Sequence, residues 1–223
     1  MTVCMIRSVV WDWNGTLLDD LHHSIAVMND LLAVDGLRAL TVERYHRLFG
    51  FPVRDYYESL GFDLSNGRWS QLAASFIERY NAGVHICDLH HGARSTLETL
   101  RERGIGSSIL TAARQDSVEA LLSPLGLRHL IDEVVGLGDH YATSKEAAGL
   151  DWLTRVDLDP EQALLVGDTL HDFEVSQAMG VKCILVTFGH HPPDRLRACN
   201  CPIATSYDEV NALIDDFDRR QVL

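Results

Sequence analysis

Long apolar runs are absent from this sequence, and none approaches the roughly 18 consecutive apolar residues that a membrane-spanning helix needs. The N-terminal residues lack the basic start and the small-residue cleavage site of a secretory signal peptide. Five cysteines, an odd number, are scattered without the spacing of a disulfide framework or of a complete zinc site. We therefore expect a cytoplasmic protein that does not associate with membranes.

Basic residues are scarce as well. The 223-residue chain has 19 lysines and arginines against 32 acidic residues, a formal net charge of −13, and no basic stripe. This balance argues against a nucleic-acid partner and against an anionic membrane surface, and favours a small-molecule partner. Only two of the cations are lysines, Lys145 and Lys182, and the other 17 are arginines. A hydrophobic content of 46% predicts an ordinary globular protein.

Short apolar runs alternate with helical patterns through the C-terminal two-thirds of the chain. The predicted strands are residues 5–11, 107–110, 131–135, 163–166 and 183–186, and the predicted helices lie around 118–125, 144–155, 170–179 and 210–217. Buried strands that alternate with helices predict βαβ units. The expected fold is therefore α/β, a parallel sheet flanked by helices.

The stretch between residues 18 and 87 has a different pattern. Leu21, Ile25, Met28 and Leu32 recur at helical spacing, three further segments do the same, and no strand pattern stands out. We expect an all-helical insert after the first strand of the sheet.

Polar residues follow the predicted strands, at the edge where open parallel sheets bind ligands. Asp12 and Asn14 come after the first strand, Thr111 after the second, and Asp168 and Asp172 after the fourth. Lys145 begins a predicted helix. Carboxylates are ligands for a hard cation such as Mg²⁺, whereas a hydroxyl and an ammonium bind phosphoryl oxygens. Each residue alone also fits a plainer interpretation: a hairpin turn at Asn14-Gly15, helix caps at Thr111 and Asp168, a surface lysine at Lys145.

Together, in this order, these residues resemble the motifs of the haloacid dehalogenase (HAD) superfamily. Asp12-Trp13-Asn14-Gly15-Thr16 is similar to its D-x-D-G-T motif, Thr111 and Lys145 to its second and third motifs, and Gly167 to Asp172 to its G-D-x-x-x-D motif. The subgroup that the chain resembles is the phosphoglycolate phosphatase-like enzymes. The resemblance implies a Rossmann-like core of residues 1–17 and 88–223 and a helical C1 cap of residues 18–87.

The resemblance also implies an activity, a Mg²⁺-dependent phosphohydrolase acting on a small organic phosphate. Asp12 would be the nucleophile that becomes an aspartyl-phosphate, and Thr111 and Lys145 would bind the phosphoryl oxygens. The implied metal ligands are the carboxylates of Asp12 and Asp168 and the backbone carbonyl of Asn14, with Asp172 in support.

Asn14 departs from the family's motif, which has a second aspartate there as general acid and base. An amide forms hydrogen bonds but does not exchange a proton at neutral pH. Two alternatives therefore stay open beside the phosphohydrolase: a catalytically impaired phosphate-binding protein, and an enzyme of other chemistry such as carbon–phosphorus or carbon–halogen cleavage. His22, His23 or His171 could supply the missing acid.

Two further features allow more than one interpretation. Arg54 either reaches from the insert to an anionic part of the substrate or lies on the surface. Three pairs of adjacent histidines, at 22–23, 90–91 and 190–191, are interpreted as polar loop surface, because adjacent residues point apart and chelate poorly.

Overall fold

The computed structural model describes residues 5–136 and 144–220, and within these ranges the chain forms one parallel sheet. Its six strands are β1 (Ser8–Trp11), β2 (Gly106–Thr111), β3 (Glu133–Gly136), β4 (Ala163–Gly167), β5 (Lys182–Val186) and β6 (Ile203–Ala204). The order across the sheet is β3-β2-β1-β4-β5-β6, and every neighbouring pair is parallel. This is the doubly wound order, so the predicted α/β fold with a parallel sheet is confirmed.

Helices connect the strands. In the described ranges these are α1 (Leu21–Val34), α2 (Val42–Leu48), α3 (Val53–Leu60), α4 (Arg68–Gly83), α5 (Ala93–Glu102), α6 (Gln115–Leu122), α7 (Lys145–Val156), α8 (Leu170–Met179), α9 (Pro193–Leu196) and α10 (Tyr207–Arg220). Among them, none is long and apolar enough to cross a membrane. The sequence analysis did not predict α5, α9 or β6, and the last two, of four and two residues, are too short for a periodic signal.

The sheet is buried on both faces, as a parallel sheet requires. Along β1, Val9 and Trp11 pack into one apolar cluster and Val10 into the cluster on the opposite face. The side chains of β4 are likewise buried at every position. Since successive residues of a strand point to opposite faces, these continuous apolar runs signal helices on both sides.

Residues 18–87, the insert, leave the sheet directly after β1 and contain α1 to α4 without a strand. The insert has its own apolar cluster, which includes Leu32, Tyr45 and Leu60. Its two ends run side by side, because the backbone N–H of Asp19 donates to the carbonyl of Asp88 at 2.9 Å. The insert therefore joins the sheet through two adjacent connections at the edge where β1 ends.

Candidate active site

The carboxyl ends of β1, β2 and β4 bring the predicted site residues together. Asp12 follows β1, Thr111 ends β2, Asp168 follows β4, and Lys145 and Asp172 lie in the first turns of α7 and α8. All five are buried. They are called the floor below, because four of them line a cavity between the sheet and the insert, with Asp168 beside them.

Lys145 lies between two carboxylates of the floor. Its Nζ donates to Asp12 Oδ1 and to Asp172 Oδ1, each at 2.5 Å. Burial opposes the lysine's charge, but the two carboxylates outweigh it and raise the pKa of Lys145 above its usual range. Burial likewise opposes ionisation of Asp172, yet Lys145 and the donors at Thr169 lower the pKa of Asp172. Lys145 is thus a fixed ammonium beside the candidate nucleophile.

Asp168 is held by the loop after β1 and the loop after β5. Its Oδ1 accepts from the Thr16 hydroxyl at 2.9 Å, and its Oδ2 accepts from the His190 backbone N–H at 2.6 Å. Gly15 has a φ of +75°, and a Cβ there would lie 2.4 Å from Asp168 Oδ2. Only glycine fits this close approach. Burial raises the pKa of Asp168 to about 6, against the opposing charge of His190.

The three aspartates of the floor fit a hard divalent cation. Asp12, Asp168 and Asp172 each offer a carboxylate oxygen, and these oxygens lie within 4.8 Å of one another. Burial raises the pKa of Asp12 well above its usual range, and the charges of Asp172 and Asp168 add to this while Lys145 opposes it. The single ammonium of Lys145 does not neutralise three buried carboxylates, so negative charge is in excess here. Ligands that are all oxygen atoms suit Mg²⁺.

Thr111 presents a hydroxyl to the cavity. Its Oγ1 accepts from the Ala113 backbone N–H at 3.0 Å. Among the hydrogen bonds of the described residues Thr111 appears as an acceptor only, so its O–H is left to donate to a ligand.

Asn14 is fixed by partners that the sequence did not reveal. Its Nδ2 donates to Asp20 Oδ2 at 3.0 Å and to the Tyr80 hydroxyl at 2.6 Å, and Tyr80 in turn donates to Asp20 Oδ2 at 2.8 Å. The Gly15 backbone N–H donates to Asp20 Oδ1 at 2.8 Å. Asn14 is thus bonded directly to helix α4 of the insert through Tyr80, and Asp20 accepts from Asn14, Gly15 and Tyr80 together.

His190 completes this network, and here the prediction from sequence was wrong. His190 and His191 were expected on polar loop surface, but both are buried, at 5% and 1% exposure. Nε2 of His190 contacts Asp20 Oδ1 at 3.1 Å and Nδ1 contacts the Tyr45 hydroxyl at 2.9 Å. Burial favours the neutral ring, but the charge of Asp20 raises the pKa of His190 to about 9. Reciprocally, against the effect of burial, His190 lowers the pKa of Asp20 to about 2.

The other histidine candidates for a proton donor are placed differently. His22 is exposed, and Nε2 of His23 contacts the backbone carbonyl of Tyr80 at 2.9 Å. His171 lines the cavity, where its ring lies 4.7 Å from the ring of Phe51. Of the three, His171 alone lines the cavity.

Arg54 is on the surface of the insert. Its side chain is about half exposed, it pairs with Glu58 at 3.3 Å, and it is not among the residues that line the cavity. The structure therefore favours the surface interpretation.

The cavity has a volume of about 350 Å³. Opposite the floor it is lined by side chains of the insert, which are called the roof below: Phe49, Phe51, Val53, Phe76, Ile77 and Tyr80. The site is thus enclosed by a charged, hydrogen-bonded wall on one side and a largely apolar wall on the other.

Comparisons with known proteins agree with this geometry. The family model of haloacid dehalogenase-like hydrolases matches residues 9–186. The chain is 29% identical to a phosphoglycolate phosphatase of Aliivibrio fischeri over 95% of this chain and 93% of that protein. It is 25% identical to an N-acetylmuramic acid 6-phosphate phosphatase of Pseudomonas aeruginosa over 96% of each.

Among solved structures, a haloacid dehalogenase-like family hydrolase from Streptococcus pneumoniae superposes with a TM-score of 0.80 at 22% identity, over 93% of this chain and 98% of that one. This match shows the shared fold. Since the family model covers most of the chain, including all five residues of the floor, the chain belongs to the haloacid dehalogenase-like hydrolase family and is an enzyme of its phosphohydrolase type.

Proposed function

We propose that the chain is a Mg²⁺-dependent phosphatase that hydrolyses a small organic phosphate monoester through an aspartyl-phosphate on Asp12. The observation that carries this proposal is the floor itself. Three buried aspartates have carboxylate oxygens within 4.8 Å of one another, and the ammonium of Lys145 donates to two of them, Asp12 and Asp172. The alternative of carbon–halogen cleavage is disfavoured, because such chemistry gives the buried Asp168 and Asp172 no cation to hold.

The proposed reaction has two steps. A carboxylate oxygen of Asp12 attacks phosphorus, and the bond from phosphorus to the ester oxygen breaks, leaving its electron pair on that oxygen, which takes up a proton. Water then attacks the aspartyl-phosphate, releasing inorganic phosphate and regenerating the carboxylate. The sum is ester plus water giving alcohol plus phosphate.

The chain's own residues hold the phosphoryl group during these steps. Lys145 and the Thr111 hydroxyl donate to its non-bridging oxygens, where charge changes most. Asp172 accepts from Lys145 and from the Thr169 hydroxyl, so it positions the ammonium as well as capping α8.

The proposed metal ligands are the Asp12 and Asp168 carboxylates and the Asn14 carbonyl, with Asp172 in support. When bound there, Mg²⁺ supplies the positive charge that allows a carboxylate to approach a phosphate dianion.

Asn14 stands where proton transfer to the leaving alcohol would be needed. Its Nδ2 is committed to Asp20 and Tyr80, so its Oδ1 is the atom left to accept a hydrogen bond from the leaving alcohol or from the attacking water. An amide orients these groups but does not exchange their proton. We therefore expect turnover to fall steeply as the leaving alcohol becomes less acidic. The same residue supports the second candidate function, a protein that binds a phosphate ester without turning it over.

The insert is proposed to act as a cap over the floor. Several contacts join it to the loop after β5 and to α9, among them Tyr45 to His190 at 2.9 Å, His46 Nε2 to the Gly189 carbonyl at 3.2 Å, and Arg195 to the Phe49 carbonyl. Held in this way, the insert covers the floor and selects the leaving group.

Phosphate release over a panel of phosphate monoesters, with Mg²⁺ and with EDTA, tests the proposal. We expect release with Mg²⁺ only, and at least about 10⁴-fold slower release by Asp12→Asn. In a quenched reaction of the wild-type protein, the peptide that contains Asp12 should gain the mass of one phosphoryl group. Undiminished release in EDTA contradicts the metal site, and release by Asp12→Asn contradicts the nucleophile. Binding of esters without any release favours the second candidate.

A further inference from the structure

The roof of the cavity has a different chemistry from the floor, and it faces whatever group the phosphate is attached to. Phe49 and Phe51 lie between α2 and α3, Val53 begins α3, and Phe76, Ile77 and Tyr80 lie on one side of α4. Phe51 and Ile77 are 42% and 50% exposed, which is unusual for large apolar side chains. Exposed apolar side chains that converge on a cavity mark a ligand-binding surface.

The insert contributes no cation to the cavity. Residues 18–87 are described in full, and none of their arginines or histidines lines it. Arg54 pairs with Glu58, and Arg68 pairs with Asp35. A carboxylate on the leaving group would therefore lose part of its hydration against the roof without gaining a cation of the insert as a partner, which is unfavourable.

The basic side chains that do line the cavity belong to the core and already have carboxylate partners. Lys145 is held by the floor and His190 by Asp20. Arg114 makes two hydrogen bonds to Asp116, at 3.0 and 2.6 Å, and His171 lies 3.4 Å from Glu174. Among the described residues, every basic side chain of the cavity thus has a carboxylate partner, and only Arg114, whose pair with Asp116 is exposed and weak, could be recruited by a second anionic group on the substrate.

The polar groups that the insert places in the cavity are uncharged or already bonded. Asp20 accepts from Ser24, Tyr80 and Asn14, and Tyr45 is bonded to His190. Asn81, at the exposed end of the roof, is a neutral side chain that can donate to or accept from a ligand.

From these observations we infer that the substrate is a phosphate monoester of an uncharged alcohol that carries an aromatic or other ring-sized apolar group, and that this group packs against the roof. The inference rests on the proposed function of the floor, which binds the phosphoryl end. A volume of about 350 Å³ is near the lower end of ligand pockets and accommodates a phosphoryl group with one compact ring. The inference sets this chain apart from its phosphoglycolate phosphatase relatives, whose named substrate carries a carboxylate.

The test compares benzyl phosphate with 2-phosphoglycolate and ethyl phosphate, all esters of alcohols. We expect the kcat/KM of benzyl phosphate to exceed that of each of the other two by at least about tenfold, since apolar contacts discriminate on this scale. Equal values, or a preference for 2-phosphoglycolate, overturn the inference. If Arg114→Gln then abolishes a preference for 2-phosphoglycolate, recognition belongs to the core and not to the roof.

Variants of the roof give the second arm. Ile77→Ala and Phe51→Ala, both at half-exposed positions, should each lower the preference for benzyl phosphate, mainly through KM. Ile77→Arg should shift the preference toward 2-phosphoglycolate by providing the missing cation. Ile86→Ala is the matched control, because Ile86 is an exposed apolar residue of the insert that does not line the cavity. A change in Ile86→Ala equal to that in Ile77→Ala overturns the inference.

Binding separates this inference from the proposed function. Calorimetry on Asp12→Asn with Mg²⁺ measures the affinity for benzyl phosphate and for 2-phosphoglycolate without requiring turnover. Tighter binding of benzyl phosphate, with no hydrolysis by the wild-type protein, supports the roof and contradicts the phosphatase. Hydrolysis together with equal or weaker binding of benzyl phosphate contradicts the roof alone.

Discussion

The floor and the roof enclose the same cavity but are held in opposite ways. In the floor, charged groups such as Lys145, Asp12 and Asp172 are almost fully buried and fix one another through hydrogen bonds of 2.5 Å. In the roof, Phe51 and Ile77 keep about half of their surface exposed. A floor of this kind tolerates one chemical group at one position, whereas a roof of loosely packed apolar side chains can change without disturbing the fold. We therefore expect that substitutions in the roof change selectivity without disturbing the floor.

The largest expected effect is the difference in unfolding free energy and kcat between a variant of the floor and a variant of the roof. Lys145→Met leaves Asp12 and Asp172 buried without a cation, which should cost about 3–5 kcal/mol of unfolding free energy. The same variant should lower kcat by about 10²–10³-fold, because a donor to the transferring oxygens is lost. Ile77→Ala should change the unfolding free energy by less than about 1 kcal/mol.

Denaturant unfolding and steady-state kinetics measure both changes. Lys145→Arg is the control for charge. It keeps a positive charge but replaces the compact ammonium with a larger, planar guanidinium, so we expect an intermediate loss of kcat. A Lys145→Met protein that keeps the wild-type kcat would show that the ammonium has no part in the reaction.

A smaller effect is expected at Asn14, where the loop after β1 meets the insert. Asn14→Asp alone places a carboxylate about 3 Å from Asp20, and the repulsion between the two should destabilise the fold. The double variant Asn14→Asp with Asp20→Asn restores one acid and one amide. General acid–base catalysis is typically worth about 10²–10⁴-fold, so we expect the double variant to gain at least about tenfold in kcat on esters of weakly acidic alcohols.

Initial rates across a series of alkyl phosphates measure this gain. Asp20→Asn alone is the control, because it removes the same carboxylate without supplying an acid at position 14. If the double variant is no faster than the wild-type protein, another group already supplies the proton.

The effect that is smallest at neutral pH concerns the loop after β5, which joins the two walls. Burial and the charge of Arg195 lower the pKa of His191 to about 3, and Nδ1 accepts from the Leu170 backbone N–H at 3.0 Å. The unfolded chain takes up a proton on this ring below about pH 6.5, whereas the folded chain does not until about pH 3. Stability should therefore fall as the pH falls between these values, by up to about 1.4 kcal/mol per pH unit.

His191→Asn keeps an acceptor for Leu170 but does not titrate. We expect its unfolding free energy to change less between pH 6.5 and 4 than that of the wild-type protein, while the two proteins respond alike above pH 7. Equal slopes in the acid range would show that His191 is not neutral in the folded state.

The floor was predictable because its residues follow strands. Asp12, Thr111 and Asp168 each come directly after an apolar run, and a parallel sheet brings such positions to one edge whatever the lengths between them. The same logic failed for the residues that surround Asn14. Asp20 and His190 are 170 residues apart, and neither lies at a position that a periodic pattern marks. His190 and His191 resembled loop surface in the sequence but are buried where the insert meets the loop after β5.

The sequence by itself determined the parallel α/β sheet and the set of groups at its edge, because both depend on short-range patterns of apolar and polar residues. The tertiary structure alone decided which side chains of the insert face that edge. A helix such as α4 presents several sides, and only packing against the sheet selects Phe76, Ile77 and Tyr80 for the cavity and leaves Arg79 outside its lining. The apolar roof is therefore a property of packing, and a linear pattern does not contain it.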